Sequence, residues 1–219
     1  MDTEKAICCR DIMKSDVLDS NGAKVGRIHD FTFQFDKELK LSKFILAGPR
    51  WEEILESLRV RPDRDPIFDS SMIKRIDDNV HLDRAIEKLK TTLDKDAIPE
   101  NDIHYTALEK MSIYDKEGEK IGHTIDIDID VDGCVSLIVG GSFVEEKLEA
   151  IGFKADVDIV VPGYTISSID DKIQLSVSKD TLETTMEEAI KTEKEVEARE
   201  SKEVNREVTK VRLFSQRPF

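Results

Sequence analysis

The sequence predicts a mainly β chain with added helices: two tandem small β-barrels followed by a charged C-terminal helix. Three observations carry that expectation. The first is a repeat. Val17–Phe31 recurs ninety-six residues later as Ile113–Ile127, with five of fifteen paired positions identical: Asp19/Asp115, Gly22/Gly118, Lys24/Lys120, Gly26/Gly122 and Asp30/Asp126. Self-similarity at a fixed spacing means that one structural unit is built twice. The second is an alternation of apolar and polar residues after each motif. The third is a Glu-rich stretch, Glu183–Lys210, without Pro or Gly. At 219 residues the chain is long enough for two domains of about 100 residues each.

The elements follow in chain order. Residues 1 to 13 are a lead-in, with Asp11-Ile12-Met13 as the start of a first strand. Asp19-Ser20-Asn21-Gly22 reads as a tight hairpin turn, since Asn-Gly supplies the positive φ that such turns need, and Gly118 serves the second copy. Gly26 and Gly122 fall inside strands, where glycine marks a bulge, a bend or a close backbone approach, as a small closed barrel requires. Phe31, Phe33 and Phe35 alternate with polar residues. In the second copy Ile125, Ile127, Ile129 and Val131 alternate with Asp126, Asp128, Asp130 and Asp132. Period two predicts a half-buried strand with the aspartates facing water.

An apolar strand follows in each copy, Leu41–Leu46 and Cys134–Val139, ending in Ala47-Gly48 and Gly140-Gly141. Trp51–Leu58 then matches Val144–Ile151, with apolar residues at helical spacing, so a short helix is expected in each. Ile76–Leu82 matches Ile169–Leu175 at four of seven positions, a further turn and strand. Helical stretches close the copies, Asp83–Leu93 and Lys179 onward. The first domain is expected to span 1–94, a Pro-containing linker 95–105, the second domain 106–182 and the tail 183–219. From Glu183 to Lys210 nine glutamates and six Lys or Arg predict a long solvated helix, with Glu187/Lys191 and Glu195/Arg199 at i,i+4. The end, Val211–Phe219, carries four large apolar residues and two arginines.

Composition bounds the function. The formal net charge is −14, which repels nucleic-acid phosphates and anionic lipid heads and disfavours direct nucleic-acid binding. Three cysteines, two of them the adjacent Cys8 and Cys9 and the third Cys134, show no CxxC spacing and fit a reducing compartment. No run approaches the roughly 20 apolar residues of a membrane span, so a cytoplasmic chain is expected. Asp128-x-Asp130-x-Asp132-Gly133 imitates the start of a calcium loop, but its twelfth position is Val139 rather than Glu. The aspartates are read as a solvated strand face, with weak cation binding as the alternative. His29, His81, His104 and His123 lack ligand spacing. Gly140-Gly141-Ser142 is not a nucleophile elbow, since Val144 stands where the second glycine belongs. No catalytic residue, cofactor site or metal site is expected.

The C-terminal peptide is the strongest functional candidate. Val211, Leu213, Phe214, Arg217 and Phe219 are the expected partner-binding residues, able to enter a groove or extend a partner's sheet. The alternative is that they fold back on the second domain.

The turn, the Lys-Val-Gly or Lys-Ile-Gly, the Asp four residues after that Gly, the alternating strand and the Ile-Asp-Asp turn resemble the PRC-barrel family. The resemblance covers about residues 11–93 and 106–182. It implies a small bent barrel without catalytic machinery, as in a photosynthetic reaction-centre subunit, half of a bacterial ribosome-maturation factor and archaeal cell-division proteins. Barrels, a charged helix and an apolar peptide are similar in layout to the archaeal division proteins. The implied role is a non-catalytic adaptor meeting SepF-like or ESCRT-III-like division proteins, with recruitment to the division site or membrane through a partner and self-association as a further option. The alternative is a ribosome-maturation factor binding a basic ribosomal protein.

Overall fold

A computed structural model of the chain describes residues 2–3, 7–13, 15–47, 65–130, 134–150, 157–199 and 209–214. It divides into two compact units, Met1–Leu108 with Ile129–Val135, and Glu109–Asp128 with Ser136–Phe219. The first-copy helix expected over Trp51–Leu58 lies outside the described residues.

The first unit contains β1 (Asp2–Thr3), β2 (Ile7–Cys8), α1 (Cys9–Ile12), β3 (Asp16–Leu18), β4 (Lys24–Phe35), β5 (Leu39–Ala47), β6 (Pro66–Asp69), β7 (Ile73–Ile76), β8 (Asn79–Leu82), β9 (Lys90–Thr91), β10 (Asp102–His104) and α2 (Tyr105–Leu108). Its sheet runs β1-β7-β8-β3-β4-β5-β6-β9, with β10 added to β4. The core is aromatic. Phe31 meets Phe44 edge-on with centroids 5.2 Å apart, and Tyr105 of α2 meets Phe31 edge-on at 5.3 Å. Phe44 stacks on Phe68 at 4.9 Å. Each such pair contributes about 0.5–1.5 kcal/mol beyond its burial.

The second unit repeats the frame with β11 (Ser112–Tyr114), β12 (Lys120–Ile129), β13 (Val135–Gly140), α3 (Ser142–Ala150), β14 (Val157–Pro162), β15 (Ile166–Ile169), β16 (Ile173–Leu175), α4 (Lys179–Arg199) and β17 (Thr209–Arg212). The order β15-β16-β11-β12-β13-β14 matches β7-β8-β3-β4-β5-β6 strand for strand, and β17 follows β14. The match extends to irregularities. The β3–β4 register shifts between Val17 and Leu18, and the β11–β12 register between Ile113 and Tyr114. The β7–β8 shift at Ile73/Arg75 recurs in β15–β16 at Ile166/Ser168.

The shared residues are those this frame uses. The Asp19 carboxylate accepts the N–H groups of Asn21 at 2.8 Å and Ala23 at 3.0 Å. Asp115 accepts those of Glu117 at 2.9 Å and Glu119 at 2.7 Å. Gly22 and Gly118 complete the turns at φ +77° and +88°, where a side chain would be strained. Gly26 lies against the Ala47 carbonyl, and Gly122 against that of Gly140. Asp30 and Asp126 each accept the N–H of the next residue, at 2.9 and 2.8 Å. Lys24 pairs with Asp16 at 2.7 Å. Its counterpart Lys120 has Ser112, not an acid, at the equivalent place on β11.

The copies part at Arg84 and Val177. Their carbonyls accept equivalent bonds from Ser20 and Lys116. The first copy then makes one 3-10 turn, Ile86–Lys88, and the strand β9. The second copy enters α4, a helix of 21 residues. Its start is held by Ser178, whose Oγ accepts the Thr181 N–H at 3.3 Å, and by Asp115, whose other carboxylate oxygen accepts the Lys179 N–H at 2.8 Å. Burial of Asp115 works against its charge, but the N–H groups of Lys179, Glu119, Glu117 and Gly118 outweigh it and lower its pKa.

Several expectations need correction. Neither sheet closes into a barrel among the described residues. The first ends at β1 and β9, the second at β15 and β17. Accessory strands extend both edges of the first sheet, β1 beside β7 and β9 beside β6, and the β14 edge of the second, where β17 is added. Asp11 and Ile12 belong to the helical turn α1, not a strand. The helix expected over Asp83–Leu93 is reduced to the 3-10 turn Ile86–Lys88, and Lys90–Thr91 pair with β6 as β9 instead, since a segment this short is a marginal helix. The tail helix stops before the strand at Thr209, and it is not simply solvated: Leu182, Met186 and Ile190, four residues apart, are buried. The linker region 95–105 buries Ala97 against Ile45 and Ile67, with Ile98 alongside, and supplies β10.

Candidate protein-interaction site

The expected partner-binding peptide reaches the edge of the second sheet. β17 runs parallel to β14, in the register Val157 to Thr209, Asp158 to Lys210, Ile159 to Val211 and Val160 to Arg212. The Leu213 N–H donates to the Val160 carbonyl at 3.0 Å, and the Leu213 side chain is fully buried. Phe214 turns the chain at φ +52°. Its carbonyl accepts the Tyr164 hydroxyl at 2.7 Å. The receiving strand is apolar at this point, with Ile159, Val160 and Val161 buried. Parallel pairing follows from the path of the chain: α4 intervenes between β14 and β17, as a parallel crossover requires. Of the five expected residues, the structure thus places Val211 in β17 and Leu213 and Phe214 just after it. Arg217 and Phe219 lie outside the described residues.

A second cluster was missed by sequence reasoning. β10 pairs antiparallel with β4 at Gln34, Phe33 and Thr32. This brings His104 Nδ1 to 2.7 Å from the Asp30 carboxylate, which also accepts the Thr106 hydroxyl at 3.2 Å. The Thr32 hydroxyl donates to Asp102 at 2.7 Å. Asp102 Oδ1 is buried without a hydrogen-bond partner. The outward face of β4 is therefore covered at Asp30 and Thr32 by the segment after the first copy, with complementary polar groups. Its chemistry is that of a clasp holding a strand. No spacing in the sequence links positions 30 and 104; only the acid shared by both copies marked Asp30.

The aspartate ladder is corrected as well. Asp126 and Asp128 are buried, not solvated. Asp126 accepts the Ile127 N–H there, as a buried carboxylate requires. Among the described residues, no group of three or more His, Cys, Asp or Glu is placed to hold a metal ion, and no helix is long and apolar enough to cross a membrane. Cys8, Cys9 and Cys134 are not in disulfides. No protein-family model and no curated protein matches the chain.

Proposed function

We propose that the chain is a non-catalytic adaptor of PRC-barrel type, in which two repeated sheet units form a platform and the C-terminal peptide Val211–Phe219 docks on other proteins. In the structure β17 folds back on the second unit, and what supports this reading is the kind of strand it is. It is an accessory strand added to a duplicated frame, and the equivalent edge of the first sheet carries a different strand in the opposite direction. A strand added last, at an edge, uses the backbone bonding by which extended peptides recognise sheets. The resemblance to archaeal division proteins gives SepF-like or ESCRT-III-like proteins as the partners, with recruitment to the division site through them. Capture of partners by the full chain and by a chain ending at Lys210 tests the proposal. Division-type proteins should be captured by the first and lost by the second. Retention of every partner by the shortened chain would sink the docking role, and a catch dominated by ribosomal proteins would favour ribosome assembly instead.

A further inference from the structure

We infer that the edge of β14 is a peptide-binding groove and that its occupant in trans is the C-terminal segment of a second copy of this chain. The inference takes from the adaptor reading only that the segment is a docking peptide; it adds the receptor and the partner. The intramolecular pairing shows the fit. The segment is held by a four-position parallel register, the Leu213 N–H on the Val160 carbonyl, the buried Leu213 side chain and the Tyr164 hydroxyl on the Phe214 carbonyl. The register and both hydrogen bonds are local to the segment and to residues 157–164. None depends on which chain delivers the strand.

A second copy therefore makes the same contacts, and only the connection differs. Exchange of an identical element between protomers is a low-cost route to association for this reason. Charge adds to the fit. Thr209–Phe219 holds three basic residues and no acidic one, on a chain of net charge −14, and Lys210 registers opposite Asp158. A detached segment is attracted to the chain, and that attraction weakens with salt. The internal strand competes through its tether, at an effective concentration of about millimolar. Exchange between intact chains is accordingly a high-concentration or clustered-state event, as on an assembly that gathers many copies.

The direct test uses the full chain carrying Leu213→Asp as receptor, which empties the buried site while keeping every residue of the frame. The probe is a fluorescent synthetic peptide of residues 209–219. Saturable binding is expected, at least about tenfold weaker for a peptide that itself carries the Leu213→Asp change, as loss of a buried leucine contact implies. A folded Leu213→Asp chain that ignores the peptide overturns the inference. If that chain does not fold, the wild-type chain with several millimolar peptide decides: saturable binding supports the inference, and none overturns it. Partner capture that persists without peptide binding would defeat this inference alone, while peptide binding without partner capture would defeat the adaptor reading alone.

Discussion

At the scale of single residues, the two copies have kept what the backbone cannot do without. The Asp19/Asp115 pair satisfies the N–H groups of a tight turn, and Gly22/Gly118 supply its positive φ. Gly26/Gly122 answer a different need, a close approach to the neighbouring strand. A Cβ on Gly26 would sit 3.1 Å from the Ala47 carbonyl oxygen, a crowded distance that a small shift relieves. On Gly122 it would overlap the Gly140 carbonyl oxygen, which is backbone and cannot swing aside. Gly122→Ala should therefore cost about 1–3 kcal/mol more than Gly26→Ala, the usual range for overpacking. Urea unfolding of the two variants checks this. Equal losses would show that the strands around Gly122 have room the geometry denies them.

At the scale of elements, ion pairs and edge strands decide what the repeat leaves open. Asp69 at the end of β6 is joined to β5 by the Lys43 ammonium at 2.5 Å. Burial pushes its pKa up, but Lys43 together with the Ser71 hydroxyl and N–H pull it down to about 2. A carboxylate lowered on folding stabilises the fold fully above its unfolded pKa of about 3.9, and that contribution drains away as pH falls toward the folded value. The side chain is 37% exposed, so solvent screening reduces the contribution to about 1 kcal/mol. Asp69→Asn should remove that much stability at pH 7 and flatten the loss between about pH 4 and pH 2. Denaturation midpoints of both proteins across that interval would test it, and an unchanged acid slope in the variant would contradict the pairing.

The same scale explains which elements were legible. The turn glycines, the period-two strands and the Ile-Asp-Asp hairpins depend on neighbours in sequence, and each appears twice. The helix α4 was readable from its charges and from the absence of Pro and Gly, whereas its buried stripe of Leu182, Met186 and Ile190 depends on the sheet it packs on, which no local pattern gives. The edges were not readable. β1, β9, β10 and β17 are two to four residues long and are fixed by partners far along the chain. Local propensity says little about such segments. Hence the barrels were expected to close, the aspartates to face water, and His104 to be an ordinary residue rather than the partner of Asp30.

At the scale of the whole molecule, the chain is one frame built twice and finished differently. The first copy ends its sheet with β9 and sends β10 along β4; the second sends out α4 and brings back β17. Stability need not be uniform in such a design, since an edge strand holds few contacts beside a central one. The central claim is that β17 can leave β14 while the rest of the second unit stays folded. Native-state hydrogen exchange of the full chain in rising denaturant measures this directly, by comparing the amides of Val211 and Leu213, which face β14, with those of β12 and β13. The expected result is that the Val211 and Leu213 amides open several kcal/mol more easily than those of the central strands, in a step of little denaturant dependence. Exchange of both sets through one global unfolding event would contradict it, and would make β17 a fixed part of the sheet.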